Sequence, residues 1–320
     1  MKIKGSFGRD LLRKRFVDPY IKKKKKDKSS VIEDDNIAYV IEEKKIFESG
    51  SEKTIIDKFG FIPPRVKDNE EFIFGKWRLF HGNKIFERNI EIWRQFWIAC
   101  ERADVIIQVL DARDPFFFYI PELEHQNKTS ITLINKSDLI SEKEKEFLKS
   151  KFKEQVIFYS CKENENLIDI LNEKISKENP TIALIGYPNV GKSSLINKIT
   201  KDKRCKESST PGKTKYIQTF IVDTLTIIDT PGIVFPIHEK NNLILHGIIN
   251  IDQTRELLNV KDFVIEYLGL ENLINFYKLK ETTKEEFYDE LENKIKKDCG
   301  QCIKIIVKDF FHGKIKKSIE

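Results

Sequence analysis

One stretch restricts this chain more than any other. Gly186-Tyr187-Pro188-Asn189-Val190-Gly191-Lys192-Ser193 is a full match to GxxxxGK[ST]. It follows an apolar run of strand formers, Thr181–Ile185, and precedes a helical pattern over 194–200. In that context the glycines let backbone N–H groups turn inward around phosphates, and the helix N-terminus adds partial positive charge. Lys192 is expected to reach the β- and γ-phosphates and the Ser193 hydroxyl to bind Mg2+. Gly186, Pro188, Asn189, Val190, Gly191 and Ser194 complete the loop expected to line a nucleotide. Such a loop needs an α/β sheet to hold it.

The surrounding pattern supplies one. Apolar runs at 105–110, 131–134, 156–159, 216–222 and 225–228 read as further strands, with helical segments at 142–152 and 167–176 between them. Strands alternating with helices predict an α/β sheet covered on both faces, its last two strands paired as a hairpin. Ile90, Trp93, Trp97 and Cys100 fall on one helical face, which is a core-facing stripe. Residues 241–320 read as helical with one β-rich stretch at 303–307, and Pro63-Pro64 marks a break. Residues 31–80 carry no clear pattern. The expected division is an N-terminal arm and extension over 1–84, a nucleotide domain over 85–238 and a mostly helical region over 239–320.

More chemistry surrounds the loop. Asp229-Thr-Pro-Gly232 lies 37 residues after Lys192 at the end of a strand. An Asp there can hold Mg2+ through water, and the Gly232 N–H can sense the γ-phosphate. Between them Pro211-Gly-Lys-Thr214 resembles a switch loop, and Thr214, preferred over Thr210 by its motif position, would complete the Mg2+ shell. Asn135-Lys136-Ser137-Asp138 ends another strand. The Asp138 carboxylate can accept both guanine N1–H and N2–H2, whereas adenine presents a different edge. Asn135 would brace the site. Ser160-Cys161-Lys162 resembles the short loop whose backbone contacts guanine. The order is unusual. The guanine motifs at 135 and 160 precede the phosphate loop at 186. Joining the old termini and reopening the chain at an exposed loop leaves the sheet intact. The segment after Asp229 then leads directly into 241–320, so nucleotide state is expected to be transmitted there.

These motifs in this order resemble the circularly permuted GTPases that act in ribosome assembly. Asp111-Ala-Arg-Asp-Pro115 looks like that family's DAR motif. Gly8-Arg-Asp-Leu-Leu-Arg-Lys-Arg-Phe16, the 89–97 helix, Glu101-Arg-Ala-Asp104, Pro231-Gly-Ile-Val-Phe-Pro236 and Ile251-Asp-Gln-Thr-Arg255 look most like its eukaryotic cytoplasmic large-subunit branch. The resemblance covers about residues 5–25 and 85–315. It implies a cytoplasmic monomer that binds GTP and GDP with Mg2+, docks on rRNA and proteins of the pre-60S subunit, and hydrolyses GTP to release the nuclear export adaptor late in maturation. Asn189 resembles a family residue that helps bind K+ beside the phosphates. Many GTPases place a water-orienting Gln after DxxG; here Ile233 stands there, so turnover without ribosome or cation activation is expected to be slow. The alternatives are a nucleolar or organellar relative, and an RNA-binding structural factor with a vestigial nucleotide site.

Charge and cysteine usage fit this picture. Residues 1–30 hold twelve Lys and Arg against three Asp, a net of +9, so the rest of the chain carries −3 of the total +6. Such a basic arm suits nucleic acid, because neutralised phosphates release counterions, although a solvated tail or an import signal has the same composition. Five cysteines at irregular spacing imply no disulfide framework, and the lone Cys299-Gly-Gln-Cys302 lacks the second pair a zinc site needs. No apolar stretch reaches the roughly 20 residues of a membrane span, and the N-terminus lacks a secretory h-region.

Overall fold

The computed structural model describes residues 59–125, 128–152, 155–162, 166–200, 216–255, 257–280 and 282–317. The basic arm, Thr210 and the Pro211-Gly-Lys-Thr214 segment lie outside them. Six strands, β1 (Val105–Asp111), β2 (Thr129–Asn135), β3 (Gln155–Tyr159), β4 (Thr181–Ile185), β5 (Gln218–Val222) and β6 (Leu225–Asp229), form one sheet in the order β3-β2-β1-β4-β6-β5. All neighbours are parallel except β5 and β6, which pair as the expected hairpin. The first strand of that hairpin starts at Gln218 rather than at Tyr216, which is exposed. β1 is buried along its length, as a central strand covered on both faces must be. Its Gln108 is satisfied by the Ile120 backbone, accepting from the N–H at 2.5 Å and donating to the carbonyl at 3.2 Å. That double bond ties down the connection to β2.

The helices ahead of and between the strands are α1 (Glu70–His81), α2 (Ile90–Arg102), the short α3 (Pro115–Phe118), α4 (Glu142–Lys151), α5 (Leu167–Lys174) and α6 (Lys192–Ile199). α2 starts where the Asn89 side chain accepts from the Glu91 N–H, and it buries Trp93, Phe96 and Trp97. α1 is an element that the sequence did not announce. It inserts Trp77 between Trp93 (centroids 5.3 Å apart) and Phe86 (5.0 Å), and the Trp77 indole donates to the Gly60 carbonyl at 2.9 Å. Its outer face also carries Phe72, Leu79 and Phe80, all more than half exposed, and this apolar outer face blurs the 3.6-residue period that would have announced a helix.

After β6 come α7 (Lys240–Leu245), α8 (Lys261–Leu268), α9 (Leu270–Tyr277), α10 (Phe287–Ile295) and α11 (Cys299–Phe311). The β-rich reading of 303–307 is wrong: these residues lie inside α11. Cys302, Ile303, Ile306, Val307 and Phe310 form one buried helical face, and packing of that face outweighs the strand preference of Ile and Val. Cys299 and Cys302 form its first turn. Among the described residues no group of three His, Cys, Asp or Glu side chains is placed to hold a metal ion, and no helix is long and apolar enough to cross a membrane.

Candidate functional site

The chain reverses its direction of travel across the sheet between β1 and β4. β2 and β3 lie on one side and β6 and β5 on the other, so the loops leaving the C-terminal strand ends diverge and open a crevice. The 186–193 loop leaves β4 there. At Gly186 a Cβ would come within 2.5 Å of the Val109 carbonyl oxygen, so β4 and β1 can lie this close only without a side chain. Asn189 (φ 64°) and Gly191 (φ 103°) adopt left-handed conformations that fold the loop back onto the start of α6. The space that a Gly191 side chain would fill holds the Asn135 carboxamide, whose Nδ2 donates to the Val190 carbonyl at 2.9 Å.

Lys192 is buried in this loop, its ammonium donating to the carbonyls of Gly186 (2.8 Å) and Tyr187 (2.7 Å). Burial pushes its pKa down and Asp229 pulls it back up. Burial likewise pushes the Asp229 carboxyl up while Lys192 lowers it. Two opposite charges held out of water are costly unless further counter-charges join them. Loop amides, a buried ammonium, the Ser193 hydroxyl at the start of α6 and a buried carboxylate form the donor set that a phosphate chain with a hard cation requires. The residues present therefore fit a nucleotide with Mg2+. The 229–232 segment is stitched to the loop. The Thr230 hydroxyl donates to the Leu184 carbonyl (2.7 Å), Ile233 N–H donates to the Gly186 carbonyl (3.3 Å), and Gly232 packs so closely that a Cβ would sit 2.8 Å from the Pro188 Cα. Ile233 is buried.

The other end of the crevice is built from β2 and β3, whose register places Asp111, Asn135 and Tyr159 side by side. Asp138 accepts from the Ser160 hydroxyl (2.7 Å) and from the Lys162 ammonium (2.7 Å), and Lys162 N–H donates back to Ser160 Oγ (3.2 Å). Burial would raise the Asp138 carboxyl, but the hydrogen bonds from Lys162 and Ser160 outweigh it and keep the pKa below its ordinary value. The Cys161 thiol lies 3.9 Å from Asn135 Oδ1. Lys136, in a left-handed conformation (φ 61°), donates to Asp111 Oδ2 (2.6 Å) and reaches the Asn189 carbonyl (3.3 Å). An ionised carboxylate beside two polar neighbours is thus presented in the crevice, next to the loop holding Lys192.

The structure brings together Asn135, Lys136, Asp138, Ser160, Cys161 and Lys162 at the ends of β2 and β3, and Gly186, Pro188, Asn189, Val190, Gly191, Lys192, Ser193 and Ser194 around the start of α6, with Asp229 and Gly232 against them. Thr214 lies outside the described residues. Three further participants were not singled out as site residues. Asp111 is fully buried and accepts from Arg113 Nε (2.9 Å) and Nη2 (2.5 Å) as well as from Lys136. Gly247 offers its carbonyl to Asn189 Nδ2 at 2.9 Å. Gln95 of α2 accepts from Ile217 N–H (2.6 Å), where the chain leaves the 201–215 segment. Only the DAR resemblance signalled Asp111; nothing in the sequence links Asn189 to Gly247 or Gln95 to Ile217.

The chain is similar to known proteins along these same segments. The family described as 50S ribosome-binding GTPase matches residues 181–306, and the family described as RsgA GTPase matches residues 116–236. "Large subunit GTPase 1" of Schizosaccharomyces pombe is 32% identical over 252 residues, covering 61% of this chain and 41% of the relative. Its namesake in Saccharomyces cerevisiae is 31% identical, covering 57% and 38%, and "GTPase LSG1-1" of Arabidopsis thaliana is 30% identical, covering 66% and 53%. The chain thus spans about two fifths to one half of the length of these curated relatives. GNP-bound YlqF from T. maritima superposes with a TM-score of 0.50 at 24% identity, covering 70% of this chain and 94% of that one. The GDP-bound YlqF structure gives 0.52 at 23%, covering 71% and 98%.

Proposed function

We propose that this chain, a circularly permuted GTPase by its motif order, its sheet order and its kinship, binds GTP and GDP with Mg2+ and hydrolyses GTP as a factor in assembly of the large ribosomal subunit. One observation carries the reading. Asp138 and Lys192 belong to motifs in inverted order, yet Asn135 and Lys136 of the first motif hydrogen-bond directly to the loop of the second. In this reading Asp138 selects guanine, Lys192 and the loop amides hold the β- and γ-phosphates, and Gly232 N–H reads the γ-phosphate. Ser193, Thr214 and Asp229 would hold Mg2+, which supplies neutralisation of phosphate charge. Phosphoryl transfer asks mainly for positioning and electrostatic stabilisation, which these groups provide. Ile233 cannot orient water, and its N–H is engaged by Gly186, so turnover is slow until a ribosomal contact or a cation supplies what is missing. Asn189 is the candidate K+ ligand; equal GTP turnover in K+ and Na+ would remove it from that role.

The names of the relatives and the basic arm support a 60S partner. The finer reading is a cytoplasmic monomer that contacts rRNA and ribosomal proteins of the pre-60S subunit and triggers release of the nuclear export adaptor. Residues 1–84, 85–238 and 239–320 would then be arm and extension, catalytic unit and response region. The test is co-sedimentation with mature and assembly-stage large subunits in K+ buffer, with a non-hydrolysable GTP analogue or GDP. Binding that weakens in GDP is expected. Absence of binding in both states, with nucleotide affinity intact, would overturn the ribosomal assignment and leave the GTPase.

A further inference from the structure

We infer that Phe311, at the end of α11, is a positioning residue of the nucleotide site, gripping Asn189 of the phosphate loop through two separate chains of contact. The inference rests on the guanine-nucleotide reading above. The first chain runs from the Phe311 ring to the Arg113 guanidinium, 4.7 Å from its centroid. Arg113 clasps the buried Asp111 carboxylate, Asp111 holds the Lys136 ammonium at 2.6 Å, and Lys136 reaches the Asn189 carbonyl at 3.3 Å. The second runs from the Phe311 ring to Gly247. This residue is in a left-handed turn (φ 72°) pressed so closely on Phe311 that a Cβ would collide with ring carbons, and its carbonyl accepts from Asn189 Nδ2 at 2.9 Å.

The two chains close a circuit: α11 holds both the backbone carbonyl and the side chain of one loop residue. Two residues beyond Phe311, Gly313 (φ 73°) lies against Leu139, where a Cβ would be 3.1 Å from its Cδ1, and Leu139 adjoins Asp138. The end of α11 therefore backs both halves of the crevice. A guanidinium over an aromatic face and a ring wedged on a glycine turn are short-range contacts that a small displacement of the helix breaks. Nucleotide binding should brace α11, and by linkage anything that pulls α11 away should loosen the nucleotide by the same factor. The sequence expectation that nucleotide state reaches 241–320 thereby acquires a named contact.

The test is the dissociation rate of a fluorescent GDP from the full chain, for wild type, Phe311→Leu, Arg113→Lys and the double variant, with Phe311→Tyr as the conservative control. Phe311→Leu keeps apolar volume but removes the ring face; Arg113→Lys keeps the charge but removes the plane. Each is expected to speed release by roughly fivefold or more, the double no more than Phe311→Leu alone, because loss of the ring already breaks the chain that Arg113 serves as well as the one through Gly247. Phe311→Tyr restores the wild-type rate. A residue that merely fills space would lower the melting temperature of Phe311→Leu and leave release within twofold of wild type, and that result overturns the inference. So do single effects that multiply in the double variant. Should Phe311→Leu fail to fold, Arg113→Lys and Phe311→Tyr decide: unchanged release in the first or fast release in the second counts against it. Wild-type protein that binds no GDP would instead overturn the nucleotide reading.

Discussion

Replacing Asp111 by Asn tests the buried centre of this network. Its carboxylate is fully buried and accepts three side-chain hydrogen bonds, two from Arg113 and one from Lys136. Although burial alone would raise its pKa, the charges of Lys136 and Arg113 and their hydrogen bonds hold it far below the ordinary range. The amide keeps the shape but removes the charge and turns N–H groups towards two cations. Breaking a buried ion pair from one side costs about 3–5 kcal/mol. Lys136 keeps 30% of its side-chain exposure and can swing to water, whereas the Arg113 side chain at 7% cannot, so the lower end applies. For a domain of this size about 3 kcal/mol corresponds to a melting temperature lower by roughly 6–12 °C. The assay is thermal unfolding of wild type and Asp111→Asn from pH 7 downward. A carboxyl whose folded pKa is depressed adds stability that is complete above its unfolded pKa and is lost as pH falls towards the folded one. The gap between the two proteins should therefore be full at pH 7 and shrink below about pH 4. A melting temperature within about 2 °C of wild type at pH 7, or a gap that widens in acid, would refute the argument that this carboxylate anchors two buried cations.

Three other variants probe the crevice itself. Asp138→Ala removes the carboxylate proposed to accept from two guanine donors; GDP affinity should drop about a hundredfold or more and preference over ADP should vanish, as read by competition titration. Lys192→Ala should cut GTP turnover by about a hundredfold or more and also lower the melting temperature without nucleotide, because the buried Asp229 carboxyl loses the Lys192 charge that offsets its burial. Gly232→Ala places a Cβ 2.8 Å from the Pro188 Cα, a backbone atom that cannot turn aside; the phosphate loop must shift, and GDP binding and GTP turnover should both weaken. Normal nucleotide binding in Gly232→Ala would mean that the two segments do not stay packed.

Much of this protein is written locally. The six strands follow from short apolar runs, and the phosphate loop from glycines and Lys192 placed between a strand and a helix, because both signals depend on neighbours in the chain, whereas the order of the strands in the sheet came from the fold. Periodicity failed where the signal was not local. α1 carries apolar residues on its outer face as well as its inner one, and Ile303, Ile306 and Val307 prefer strands until a helical face is needed to pack against the other C-terminal helices. The site divides in the same way. Asn135, Asp138, Lys192 and Asp229 were visible as motifs, since Asn135 and Asp229 end strands, Lys192 starts a helix and Asp138 follows Asn135 at a fixed short spacing. Asp111 with Lys136, Asn189 with Gly247 and Arg113 with Phe311 meet only because the sheet and α11 bring together positions 25, 58 and 198 residues apart. A hydrogen bond or ring contact depends on distance in space and leaves no periodic trace in the chain, so the motifs were legible in the sequence while the contacts that hold them in place were decided by the tertiary structure alone.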